Sequence, residues 1–352
     1  MNIVHLEDEP WDSGIAHYAL TLAAEQARRG HRVAVWGVKH SPVLKQAAEL
    51  GLPVRAWMSG PEGWLEFRTQ RRELAAFLPQ VVDAHTGSSH ALALLIAPKG
   101  AAVIRTRGDA RPVHATSLTR WAAGRTHRFI AANTAIETQL RAAFPRTPVS
   151  LVAQGIEGPE DAAPMPGMPF VGIIARLDPV KGHEMLIDAA EALKGGNPAL
   201  RILCAGDGQL LKRLSWQLPA RRLQEVVRFL GRVPDRWTFL AGCRIGVVAS
   251  IASEAVSRAA LEWMAAARPL VATRVGGLPD IVEDGVTGLL VPPGDAGALA
   301  DAVKALLDDP ARAEAMGAAG RARWEERFSL APFYLATQKA YEEALNALSH
   351  RR

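Results

Sequence analysis

Residues 243–275 read CRIGVVASIASEAVSRAALEWMAAARPLVATRV. The apolar runs CRIGVVAS and PLVATRV, separated by an interval of helical composition, predict a strand, a helix and a second strand. Two strands joined through a helix lie parallel, with a right-handed crossover. Glu254 leaves the first strand, and Glu262 stands eight positions on, inside the helix. A helix over that interval would be about 12 Å long and would turn the second acid about 80° from the first. The two carboxylates then address different parts of one elongated ligand. Glutamate pairs at this spacing are frequent on solvated helices, so this pair acquires meaning only from what surrounds it.

Working outward, the same alternation fills the chain. NIVHL at 2–6, an amphipathic IAHYALTLAAEQARRG closing on Arg28, Arg29 and Gly30, and HRVAVWG form a strand, helix and strand. The loop between them holds only Gly14, without the G-x-G-x-x-G run of dinucleotide-binding folds. LPVRAWM, a helix from about Pro61 to Phe77, VVDAH, AAVIRTR, RFIAAN and VSLVAQG continue the series with helices between them. The Pro- and Gly-rich EGPEDAAPMPGMP at 157–169 interrupts it, and FVGIIARLD, LRILCAGDG, VVRFLGRV, RIGVVAS, PLVATRV and TGLLVPPGD resume it. At 352 residues the chain exceeds what one core usually serves. The expected plan is two doubly wound α/β domains, residues 1–158 and 170–330, joined by a linker at 159–169 and followed by a helix at 331–352.

With 49% apolar and 22% charged residues the composition is globular. Two isolated cysteines, Cys204 and Cys243, support no disulfide framework and suggest a reducing compartment. MNIVHLEDEPWD lacks the basic flank and apolar core of a secretory signal, and no stretch is apolar enough to span a membrane. Between Lys99 and Arg146 nine basic residues face only Asp109 and Glu137. Such a patch suits a phosphorylated acceptor or an anionic membrane surface. Few aromatics, Trp121 and Phe129 among them, interleave with these basic residues, which argues against nucleic acid. WLEFRTQRRELAAFL also reads as an interfacial helix through Trp64, Phe67, Leu74 and Leu78, although a core-facing helix with an arginine edge accounts better for it.

ARLDPVKG, CAGDG, RFLGRV, ASIASE with its downstream LE, and VATRVGGLPDIVEDGVTGLLVPPGD follow one another over residues 172–296. In this order they resemble the retaining family 4 glycosyltransferases of the GT-B architecture, in which two Rossmann-like domains face a cleft. The N-terminal half resembles the family more loosely, through its first strand–helix–strand unit, VVDAH and TRGDARP. The resemblance implies a nucleotide-sugar donor, no cofactor and no metal, and an N-terminal domain that binds the acceptor.

It also implies roles. Arg176 and Lys181 hold the diphosphate, where a forked guanidinium and an ammonium stabilise charge growing on the leaving group. Glu262 binds the ribose, and Glu254 the donor sugar near its C3 or C4 hydroxyl, since a carboxylate accepts two hydroxyls at once. Helix amides just after Glu254 add their dipole to the phosphates. The backbone at Arg232 and Val233 meets the base, Gly206 and Gly208 let the chain pass close to the nucleotide, and Gly14 lies on the donor side. Ala255, Val256 and Ser257 replace the family's usual Gly-aromatic-Gly over the diphosphate. Gly108 stands where many relatives place a histidine, so either His85 takes part of that role or the sugar's far end is held by another residue, Asp109 and Arg107 being the candidates nearest in sequence. His114, His127 and His183 are expected at the surface. The implied reaction is retaining glycosyl transfer to a glycan or lipid-linked acceptor in lipopolysaccharide or envelope polysaccharide synthesis. It would proceed in the cytoplasm, with peripheral contact to the inner face of the membrane. A nucleotide-sugar epimerase or a non-catalytic nucleotide-sugar-binding protein would keep the same architecture.

Overall fold

A computed structural model describes residues 1–11, 13–57, 66–196, 198–252 and 254–350. Ser253, Trp64 and the expected helix start at Pro61 lie outside the described residues. The chain forms two compact units, Met1–Gly155 with Leu330–Arg352, and Ile156–Ser329.

The first unit is built on seven parallel strands: β1 Asn2–Glu7, β2 Arg32–Val38, β3 Val54–Trp57, β4 Val81–Ala84, β5 Ala102–Arg107, β6 Arg128–Ala131 and β7 Val149–Leu151. Their order is β3-β2-β1-β4-β5-β6-β7. Covered on both faces, the central strands are continuous apolar runs and not alternating ones; Ile3, Val4 and Leu6 are wholly buried. Helix Gly14–Arg28 starts where Ser13 accepts a hydrogen bond from the Ala16 amide at 3.2 Å. It stops at Gly30, whose φ of +86° lets the His31 amide reach back to the Gln26 carbonyl. Helix Phe67–Phe77 turns Leu74 into the core with Val4, Leu6, Trp36 and Val82, with Phe67 and Phe77 packed against them, while Leu78 just past its end is 70% exposed.

The second unit has six parallel strands: β8 Phe170–Ile174, β9 Arg201–Ala205, β10 Val227–Gly231, β11 Ile245–Val248, β12 Leu270–Thr273 and β13 Gly288–Val291. The order β10-β9-β8-β11-β12-β13 reverses direction between β8 and β11, as the first sheet does between β1 and β4. Beyond the carboxyl ends of strands at such a switch point, diverging loops leave room for a ligand. Helix Arg258–Ala265 is seated by Trp263, wholly buried over Gly172 of β8 and Gly246 of β11. A Cβ at either glycine would lie 2.6 or 2.3 Å from the indole. That contact fixes the helix carrying Glu262 across the switch point. The helix begins at Arg258 and not directly after Glu254, because the chain bends at Ala255 and Val256 before entering it. Glu254 therefore lies in a loop, the rotation inferred for a continuous helix does not apply, and no helical amides follow it directly.

The stretch expected to link the domains is tied to the second unit. The Ile156 amide donates to the Phe328 carbonyl at 2.9 Å, and Arg321 donates to the carbonyls of Pro159 and Glu160, both at 2.9 Å. Arg268, almost wholly buried, reaches the carbonyls of Ala163 at 3.1 Å and Pro164 at 2.9 Å. Two guanidiniums thus supply donors to backbone that Pro and Gly keep out of regular structure. The last helix, Leu330–Ser349, belongs to the first unit, where the Tyr341 hydroxyl donates to Asp83 at 2.6 Å.

Candidate functional site

The loops after β8 and β11 are sewn together before any side chain is considered. The Ile251 amide donates to the Val180 carbonyl at 2.9 Å. Gly182, at φ +69°, lies so close to β11 that a Cβ would be 1.8 Å from the Ala249 carbonyl oxygen. The preceding 3-10 turn, Pro179–Lys181, delivers Lys181, whose ammonium pairs with the buried Glu254 carboxylate. Glu254 is held from behind as well. Its carbonyl accepts from the Gly277 amide at 2.7 Å, and Gly276 at φ +58° leaves no room for a Cβ beside it. Lys181 and Glu254, 73 positions apart in sequence, thus meet at the switch point.

Glu262 is nearly as buried and carries two cations, Arg258 Nε at 2.8 Å and Arg236 Nη1 at 3.4 Å. A carboxylate so placed is costly without partners. Arg176 instead turns outward, 66% exposed, and pairs with Asp178 at 3.1 Å; among the described residues it makes no ion pair with Glu254 or Glu262. Arg232 is exposed, Val233, Ala255 and Val256 are half-buried, and Ser257 is buried at the mouth of the helix. Gly206, at φ +138°, and Gly208 do permit a close approach, but to the chain's own backbone. A Cβ on them would meet the carbonyl oxygens of Ala175 at 1.9 Å and Leu177 at 2.7 Å. They shape the loop that carries Arg176 and Lys181.

In the first unit the expectation for His85 is corrected. It is buried in a network in which its Nε2 lies 2.9 Å from His5 Nδ1, and His5 Nε2 donates to Gln26 Oε1 at 2.8 Å. Burial lowers its pKa to about 3, so it is neutral and has no solvent route to a sugar. With His5 donating to Gln26, His85 must donate to His5, and among the described residues its Nδ1 has no hydrogen-bond partner. His5, Asp83 and His85 lie close enough to be read as metal ligands. The 2.9 Å between the imidazole nitrogens is a hydrogen bond, and is shorter than the spacing of about 3.3 Å implied by tetrahedral Zn–N bonds of about 2.0–2.1 Å. Asp83 is moreover committed to the hydroxyls of Thr106 and Tyr341.

Arg107 folds onto its own loop, donating to Asp109 Oδ1 and the Pro112 carbonyl, both at 3.3 Å, beside the buried Gly108. Gly14 is exposed at the start of its helix. His183 is buried, not at the surface, and burial lowers its pKa to about 4; among the described residues neither ring nitrogen has a hydrogen-bond partner. Glu7 was missed in the sequence. It ends β1, its Oε1 accepts from the Glu9 amide at 2.9 Å, and its Oε2 is buried with no hydrogen-bond partner among the described residues. Burial first, then the neighbouring acids Glu9 and Asp8, push its pKa up to about 8. An acid ending a strand at a sheet's first crossover was the available signal.

The family described as Glycosyl transferases group 1 matches residues 160–323, and Glycosyltransferase Family 4 matches 13–157. A D-inositol 3-phosphate glycosyltransferase of Corynebacterium aurimucosum is 30% identical over 314 residues, covering 82% of this chain and 70% of that protein. A glycogen synthase of Mycobacterium tuberculosis is 34% identical over 170 residues, which is 48% of this chain. That match spans only 41% of the relative's own length. Among solved structures, the Anabaena protein HepE in complex with UDP superposes with a TM-score of 0.82 at 21% identity, covering 97% of this chain and all of that one. A glycosyltransferase from Rickettsia africae gives 0.85 at 18% identity, over 97% of this chain and 98% of its own, which establishes the shared GT-B fold. The two family matches, the Corynebacterium relative and the shared fold together show that the chain belongs to the group 1, family 4 glycosyltransferases.

Proposed function

We propose that this protein transfers a sugar from a nucleotide-sugar donor to a glycan or lipid-linked acceptor with retention of anomeric configuration and without a metal. The observation that carries the reading is the Lys181–Glu254 pair at the carboxyl ends of β8 and β11. Lys181, with Arg176 swung inward from Asp178, neutralises the leaving diphosphate. Glu254 holds a donor-sugar hydroxyl and Glu262 the ribose. The acceptor oxygen bonds to the anomeric carbon as the bond from that carbon to the diphosphate breaks, and the acceptor proton passes to the leaving phosphate oxygen. Positioning and leaving-group stabilisation then carry the rate, with no protein nucleophile.

The HepE structures with UDP and UDP-glucose support a uridine donor as the first to try. The exposed Arg111, Arg120, Arg125 and Arg146, with Leu118 73% and Trp121 44% exposed in the same stretch, favour an anionic, lipid-linked acceptor at the inner membrane surface, in envelope or lipopolysaccharide synthesis. Among the described residues no helix is long and apolar enough to cross a membrane. A thermal-shift panel of UDP-, GDP- and ADP-sugars in the presence of a chelator identifies the donor by the rise in melting temperature. With that donor, Lys181→Ala and Glu254→Ala should each lower transfer by about 100-fold or more in protein that stays folded, as checked by circular dichroism. Wild-type turnover in both variants would sink the assignment.

A further inference from the structure

Glu254 presents its two carboxylate oxygens unequally. Oε1 accepts both from the Lys181 ammonium and from Ser250 Oγ, the latter at 2.5 Å. Among the described residues no hydrogen bond reaches Oε2. Ser250 is wholly buried, two residues past β11, and its own carbonyl accepts from Thr273 Oγ1 at 2.5 Å. Thr273 ends β12 and is itself wholly buried. The hydroxyl that reaches Glu254 therefore hangs on backbone clamped by the neighbouring strand, with little freedom to turn elsewhere.

Lys181 cannot serve two anions equally. When a diphosphate arrives, the ammonium's donors are drawn toward the larger charge, and its hold on Oε1 weakens. Ser250 is then the donor that keeps the carboxylate from rotating. We infer that Ser250 is a positioning residue, whose hydroxyl locks Glu254 Oε1 so that Oε2 faces a hydroxyl of the donor sugar while Lys181 engages the diphosphate. This rests on the role proposed above for Glu254.

The test compares Ser250→Ala in the wild-type and Glu254→Gln backgrounds, using the donor selected by the panel and its sugar-free nucleoside diphosphate. Affinity for the nucleoside diphosphate should stay within about twofold, while kcat/KM for transfer falls roughly 10- to 100-fold, the range for a lost hydrogen bond to a charged group. In the Glu254→Gln background the same substitution should cost no more than about twofold. Equal losses in both backgrounds, or equal losses for the two ligands, would overturn the inference by showing a general structural effect. If Ser250→Ala does not fold, Ser250→Cys, similar in size but a weak donor, is read by the same criteria. Inactive Glu254→Gln beside fully active Ser250→Ala refutes the inference alone. Fully active Glu254→Gln refutes the reading of Glu254 and the inference with it.

Discussion

Glu7 and His85, at the carboxyl end of adjacent strands β1 and β4, are driven in opposite directions by the same burial. Glu7 rises to about 8, with Glu9 and Asp8 reinforcing desolvation and Arg105 opposing it. His85 falls to about 3, with Asp83 opposing desolvation and His5 and Arg105 adding to it. His90, beside Arg105, falls to about 3 as well, and His183 to about 4. Each lowered histidine contributes stability that is present above its unfolded value of 6.5 and is lost as pH falls through its folded value. Glu7 works the other way: its contribution is complete below 4.5 and lost as pH rises through about 8. Melting temperature followed against pH should therefore fall on both sides of a maximum near 6.5. Glu7→Gln, which keeps the acceptor for the Glu9 amide, should flatten the alkaline limb alone; an unchanged limb would remove Glu7 as its cause. Lys181 and Glu254 were legible because each sits in a motif of fixed order. Ser250 and Glu7 were not, since their meaning comes from a partner, or the lack of one, that spacing along the chain does not reveal.

Two helices in this protein end alike with different residues. At the end of Gly14–Arg28 the left-handed position is Gly30, at φ +86°. After Arg258–Ala265 it is Ala267, at φ +55°, with the Ala267 amide bonded to the Met264 carbonyl and the Arg268 amide to that of Trp263. A side chain in that region costs about 1–2 kcal/mol, against about 0.5–1 kcal/mol for the extra backbone freedom glycine would bring. Ala267→Gly should therefore stabilise the protein by about 0.5–1 kcal/mol, read from denaturant midpoints at constant m-value. A loss of stability would show that packing, not backbone conformation, decides the position. Helix starts were harder to read than strands. The apolar runs at 245–248 and 270–273 stand out in any window, whereas the start at Arg258 depends on how Trp263 beds against Gly172 and Gly246.

For the molecule as a whole, the division into units does not follow the run of prolines and glycines. The chain changes unit between Gly155 and Ile156 and returns at Leu330, because Arg321 and Arg268 bind the intervening carbonyls to the second unit. The last helix completes the first unit through Tyr341, whose hydroxyl shares the Asp83 carboxylate with Thr106. Tyr18 links the same region, donating to the Val152 carbonyl at 3.0 Å and meeting Phe333 edge-on. Tyr341→Phe should cost about 1–3 kcal/mol by leaving a buried acceptor short of a donor. Hydrogen exchange should speed up in residues 1–155 and 330–350 and stay unchanged in 156–329. Uniform acceleration would mean that the two units unfold together.

From the sequence alone came the parallel α/β alternation, the two-sheet plan and the identity of Lys181, Glu254 and Glu262 as the residues to watch. Each rests on local periodicity or on motifs in fixed order, which one dimension records in full. Tertiary structure alone decided that Glu254 sits in a loop, that His85 and His183 are interior and neutral, and that Gly206 and Gly208 make room for backbone. Only it decided that Arg321 and Arg268 bind the supposed linker. Burial and hydrogen bonding join residues that lie tens to hundreds of positions apart, and their energies depend on distances that no local pattern encodes.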